Sequence, residues 1–163
     1  MHTSIQKMWP VDEIASLPTN MESLLAIGRS RCRVPVRSES MTAEETARLC
    51  AQYAYDKKAE DIIILDVRDL SPIVDFFVIC TASSPPHLRA IQNEIDECMD
   101  KEHGQMPRWR ERNFESQWLV IDYTDVMVHV FQPEKREFYA LEELWSDGKR
   151  LQWEPTIPAS HAG

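Results

Sequence analysis

The side chains best suited to proton transfer or metal binding are five histidines: His2, His87, His103, His129 and His161. None is spaced as HxxxH or HExxH and none neighbours a cysteine pair, so no zinc-type ligand set is visible. His129 sits in an alternating stretch beside Met127 and faces the same way as Asp125, the pattern of a hydrogen-bonded sheet histidine. Phosphate chemistry finds little support. With four glycines in 163 residues, neither GxGxxG nor GxxxxGK[ST] occurs, and close backbone approach to phosphates usually needs glycine. Residues 81–84 do run from an expected strand into a helix N-terminus, but Pro85 and Pro86 remove two of the N–H donors an anion would use. No GxSxG nucleophile elbow is present. The carboxylate pairs Asp66/Asp69 and Asp122/Asp125 flank expected turns, where Asp more often caps backbone N–H groups than performs catalysis. Glu94 and Asp96 are two apart on an expected helix and so diverge by about 200°.

Trp118 and Tyr123, at the two ends of one expected strand, are the residues that folding alone leaves unexplained. Tryptophan buries a large rigid surface at small entropic cost, which suits an interface anchor equally as well as a core-closing ring. The residues by themselves leave both roles open.

These side chains must be positioned by regular elements, and the sequence marks most of them. Thr42 and Glu45 fit a capping box, and Ala43, Ala47, Cys50, Ala51 and Ala54 recur at helical spacing, predicting a helix to about Lys58. DIIILDV (61–67) and DFFVICT (75–81) are short apolar runs rich in β-branched residues, the mark of strands buried on both faces. The Ser71-Pro72 break between them makes an antiparallel pair plausible. Ser84 as N-cap, Pro85 and Pro86 in the first turn, and Gly104 as the stop bound a second helix. Its apolar side is Leu88, Ile91, Ile95, Cys98 and Met99. Residues 105–117 read as a polar loop. WLVIDY (118–123) and DVMVHVF (125–131) form a hairpin turning at 122–125, with Val126, Val128 and Val130 on one face and Asp125, Met127, His129 and Phe131 on the other. After Pro133 a closing helix is expected over 134–145, with Phe138, Leu141, Leu144 and Trp145 inward. From Ser146 the chain is expected to fray. The order helix, strand, strand, helix, strand, strand, helix specifies an α/β fold: a mixed sheet of four to five strands with helices packed on it.

Composition bounds the function. The formal net charge is −9, and residues 1–40 hold five basic and four acidic side chains, leaving −10 on residues 41–163. So acidic a domain repels a phosphate backbone and favours a basic protein surface. Cys32, Cys50, Cys80 and Cys98 form no CxxC pair and read as reduced thiols of a cytosolic protein. No basic start followed by an apolar stretch marks a secretory signal, and four acids in the extension argue against a transit peptide. Residues 1–40 carry three prolines and no sustained periodicity, so they read as a poorly ordered extension. Four arginines at 29–37 offer an rRNA-touching arm as the alternative to a solvated tail, and Met41 offers an alternative start.

The segments DIIILDVRDLSPIVDFFVICTASS, His87, QWLVIDYTDVMVHVF and REFYALEELW together resemble the ribosomal silencing factor, or Iojap, family over about residues 42–145. The pairing of WLVIDYTDVMVHVF with RxFYxLExLW is specific. The resemblance implies an α/β domain with nucleotidyltransferase-like topology but without that enzyme's catalytic carboxylates. It implies a cytoplasmic, non-enzymatic translational repressor, a monomer or weak homodimer needing no cofactor. Such a protein docks on ribosomal protein uL14 of the large subunit and sterically blocks joining of the small subunit under nutrient limitation. Trp118 matches the tryptophan that opens the family's hairpin and Tyr123 the apolar residue at its turn. With Asp125 they are the first expected contacts, and His87 and Arg136 match family positions as further ones. Asp75, His129 and Tyr139 match family positions as well. The chain departs from the family pattern at Ala82 (usually Gly), Pro86 (usually Arg) and Arg112 (usually Gly). The silencing domain is thus expected over 41–146, with 147–163 as a tail. Large-subunit assembly is the alternative role, and a nucleotidyl-transferring enzyme using Asp66 and Asp69 is the rival from another class.

Overall fold

The computed structural model describes residues 41–157. The expectations for residues 1–40, including the arginine-rich arm and its rRNA contact, lie outside the described residues.

Helix α1 (Ala43–Asp56) opens on the expected capping box. Glu45 N–H donates to Thr42 Oγ1 at 3.2 Å, and Thr42 N–H donates to Glu45 Oε2 at 2.8 Å. Helix α2 (Pro85–His103) is capped by Ser84 and stopped by Gly104 at φ 63°, a left-handed conformation that glycine adopts without Cβ strain. Both helices turn small or aliphatic side chains, among them Ala47, Cys50, Ala51, Leu88, Ile91 and Ile95, onto one face of the sheet.

That sheet has six strands: β1 (Glu60–Asp66), β2 (Phe76–Thr81), β3 (Trp109–Arg110), β4 (Trp118–Asp122), β5 (Val126–Phe131) and β6 (Lys149–Arg150), in the order β3-β4-β5-β2-β1-β6. Only the central β2–β5 pairing is parallel, so the sheet is mixed as expected. The two strands beyond the expectation are each two residues long, too short for any apolar period to announce them. β3 forms inside the expected loop, with Trp109 opposite Asp122. β6 forms inside the expected frayed tail, with Arg150 opposite Leu65, and Leu151 and Trp153 then pack on the core. Gly148 permits this approach, since a Cβ there would stand 3.0 Å from the Trp145 carbonyl oxygen and 3.2 Å from that of Asp66.

The closing helix is also corrected. It breaks into α3 (Pro133–Tyr139) and α4 (Leu141–Leu144) at Ala140, whose φ is 42°. With the break, Tyr139, Leu141 and Trp145 are all buried, Tyr139 against Trp118 and Trp145 against Phe77, while Phe138, expected inward, is 60% exposed. Among the described residues no helix is long and apolar enough to cross a membrane.

Candidate functional site

Strand pairing sorts the candidate residues onto two faces. Leu119, Ile121, Val126, Val128 and Val130 face α1 and α2, joined by Phe76, Val78 and Cys80. The opposite face carries Trp118, Val120, Phe77, Met127, His129 and Phe131, over which α3 and α4 lay Tyr139 and Trp145. Trp118 and Tyr123 are five residues apart, an odd spacing, so a strand sends them to opposite faces. Their parity was legible in the sequence and was missed there.

Trp118 is 2% exposed. Its ring lies 4.9 Å from Phe131 and 4.8 Å from Tyr139 between centroids, and its indole N–H donates to His129 Nδ1 at 3.2 Å. Burial pushes the His129 imidazole down to about 3, so the ring is neutral. With Nδ1 accepting, the proton sits on Nε2, a buried atom without a hydrogen-bond partner. Tyr123 is 8% exposed on the helix side, where its hydroxyl donates to Asp96 Oδ1 at 3.3 Å. Asp96, on α2, also holds Arg110 of β3 in an ion pair. Burial raises the Asp96 carboxyl, and Arg110 and Tyr123 work against that rise.

These contacts fix the tip of the β4–β5 hairpin from both sides. Asp122 Oδ1 accepts the Thr124 N–H at 2.7 Å, holding Thr124 at φ 76°, a conformation rare for a β-branched residue. The Asp125 carbonyl accepts the N–H groups of Asp75 at 2.8 Å and Phe76 at 3.1 Å. Thr124 is exposed and Asp125 half-buried at the tip.

His87 and Arg136, expected as further contacts, are placed elsewhere. The Ser83 N–H donates to His87 Nδ1 at 3.0 Å, and His87 Nε2 donates to the Lys57 carbonyl at 2.6 Å. The imidazole thus clasps the β2–α2 turn to the end of α1. Arg136 is 9% exposed. Its Nη1 donates to Thr81 Oγ1 and the Asp61 carbonyl, both at 2.7 Å, and its Nε to Glu142 Oε1 at 2.9 Å. The clamp secures the irregular start of β1, where Asp61 has φ 48° and the pairing register shifts. Beside it lies an open cleft of about 410 Å³ lined by Glu60, Asp61, Glu137, Glu142 and Glu143.

The catalytic rivals acquire local partners. Asp66 pairs with Arg68 at 2.5 Å, which holds its carboxyl below the usual range. The Asp69 side chain is 90% exposed, 4.0 Å from Lys149. Glu94 pairs with Lys57 at 3.0 Å, away from the buried Asp96. Burial pushes the Cys80 thiol up to about 12 and raises Cys50 as well, leaving both poor nucleophiles. Among the described residues, no three His, Cys, Asp or Glu side chains are grouped to hold a metal ion.

Comparison with known proteins gives this arrangement its relatives. A family model described as "Ribosomal silencing factor during starvation" matches residues 40–162. The ribosomal silencing factor RsfS of Bacillus subtilis (strain 168) is 37% identical over 107 residues, 66% of this chain and 90% of that protein. RsfS of Halalkalibacterium halodurans is 34% identical over 117 residues, 72% of this chain and 99% of that protein. The crystal structure of a Chromobacterium violaceum protein is similar with a TM-score of 0.62 at 28% identity, covering 74% of this chain and 98% of that one. The Bacillus and Halalkalibacterium relatives carry the name of silencing factors rather than of enzymes. With the mixed sheet, the hairpin and the matched segment in agreement, this chain belongs to the ribosomal silencing factor family.

Proposed function

We propose that this protein represses translation by docking on ribosomal protein uL14 of the large subunit and sterically blocking the small subunit. The observation that carries the reading is the rigid, acidic β4–β5 tip. It presents Asp125 from a turn held by Asp122, by the Asp75 and Phe76 amides, and by the Tyr123–Asp96 bond. A preorganised loop loses little entropy on binding, and net negative charge steers it to a basic partner. Asp125 makes the contact in this reading. Trp118 and Tyr123, both buried, act by holding the hairpin, and His87 and Arg136 by holding the sheet ends. The mechanism needs no turnover and no cofactor, and it places the protein in the cytoplasm with the ribosome.

The test is sucrose-gradient co-sedimentation of the full chain with purified large subunits, with and without small subunits. Migration with large subunits together with fewer joined ribosomes is expected. Co-migration without any loss of joined ribosomes would move the role to large-subunit assembly. A protein that stays at the top of the gradient would end the reading.

A further inference from the structure

The arginines of the described domain divide into two groups. Arg48, Arg68, Arg110 and Arg136 each pair with a carboxylate: Glu44, Asp66, Asp96 and Glu142. Arg89, Arg108 and Arg112 are exposed and make no ion pair, and all three gather at the β3 edge of the sheet. (Arg150, exposed on the far edge strand β6, likewise has none.) Arg108 and Arg112 flank the outermost strand, at most about 14 Å apart along the chain. Arg89, on α2, lies 4.5 Å over the ring of Phe114, which follows β3 directly.

The acids of this segment do little to neutralise them. Glu111 is 4% exposed and its Oε1 accepts the backbone N–H groups of Arg112 and Asn113. Asp96 is committed to Arg110 and Tyr123. Glu115 is the one exposed acid of residues 105–117. Charges on an edge strand often serve only to prevent edge-to-edge pairing, and either sign does that. Three unpaired guanidinium groups of one sign, in a domain carrying −10 over residues 41–163, form a field opposite to the rest of the molecule.

We propose that this edge is an RNA contact: Arg89, Arg108 and Arg112 bind backbone phosphates, with half-buried Trp109 and Phe114 at its border. The planar guanidinium matches a phosphate in a bidentate way, and one without an ion pair has no carboxylate to give up. The inference rests on the ribosome-docking reading. β3 pairs directly with β4, the strand leading to the hairpin tip, so protein and RNA contacts would lie side by side.

The experiment is fluorescence anisotropy of the full chain against a short labelled RNA hairpin over a series of KCl concentrations. In parallel, wild type and the Arg108→Gln/Arg112→Gln double variant are compared in co-sedimentation. With three phosphate contacts, the logarithm of affinity should fall with the logarithm of salt at a slope of about −2 to −3. The double variant should lose about 10-fold or more in RNA affinity and flatten that slope by about 1 to 2. Both positions are exposed, so an unchanged melting temperature is expected and serves as the folding control. Equal RNA affinity of the two proteins overturns the proposal, even if residues 1–40 bind RNA themselves. Loss of subunit capture with RNA affinity unchanged also overturns it, because the edge would then face a protein. The docking reading fails separately: Asp125→Lys would leave subunit capture intact while hairpin-RNA affinity still depended on Arg108 and Arg112.

Discussion

The indole N–H of Trp118 donates to His129 Nδ1 across the β4–β5 pair, at 3.2 Å and fully inside the protein. One bond therefore sets the tautomer of an imidazole that burial keeps uncharged, and it locks the ring that begins the hairpin. It ties the tryptophan that opens the hairpin to the only strand histidine among the described residues, and both belong to the aromatic layer beneath α3 and α4.

Burial of that imidazole makes stability depend on acid. The folded-state value for His129, about 3, lies below the 6.5 of a free histidine, so the unfolded chain takes up a proton that the folded one refuses. The contribution is complete above pH 6.5 and is lost as pH falls toward 3. From this group alone, stability should drop by about 2 kcal/mol between pH 7 and pH 5. Urea titrations at the two pH values would show it. The difference should vanish in His129→Phe, and a variant with an undiminished pH 5 loss would assign the effect to other groups.

Trp118→Ala should unfold the region rather than merely unmake a contact. Emptying so buried a site costs about 3–5 kcal/mol, whereas Trp118→Phe keeps most of the volume and loses about 1 kcal/mol with its N–H. Thermal melts of both variants settle the point. A fully stable Trp118→Ala protein would mean that the ring packs on a partner and not on Phe131 and Tyr139.

Arg136 should prove structural. Arg136→Met strands the Glu142 carboxylate, one of whose oxygens is already buried without a partner, and should cost about 3–5 kcal/mol. Arg136→Lys cannot span Glu142, Thr81 and the Asp61 carbonyl together and should recover only part of this. Removing Glu142 as well, as Glu142→Met, should restore more stability than Lys does. Chemical denaturation of wild type, Arg136→Met, Glu142→Met and the double variant forms the cycle that checks it, with Arg136→Lys measured beside it.

Asp125 carries the docking prediction. Its carbonyl anchors the Asp75 and Phe76 N–H groups whatever the side chain, and the residue is only half-buried, so Asp125→Lys should fold. Reversing the charge against a basic surface should weaken large-subunit binding by about 10-fold or more, mostly at low salt. Binding that is unchanged in a gradient at low salt would remove the tip from the interface.

The elements legible in the sequence are those specified by neighbours in the chain. Thr42 with Glu45, Ser84 with Pro85, and Gly104 each satisfy backbone groups within one helical turn, so both long helices were readable to within a residue or two. The hairpin was readable because Asp122 and Asp125 bracket a turn between two alternating runs. Family membership followed from the same runs. Tertiary structure decided the rest. β3 and β6 exist because β4 and β1 offer open edges to two residues apiece, and the break of the last helix at Ala140 goes with the burial of Tyr139, Leu141 and Trp145 together. His87 became a clasp only when the parallel β2–β5 core set the β2–α2 turn beside Lys57. Burial of Trp118 likewise depends on partners 11, 13 and 21 residues away, which no local pattern links. Pairing between distant segments depends on long-range packing that a short window of sequence does not contain.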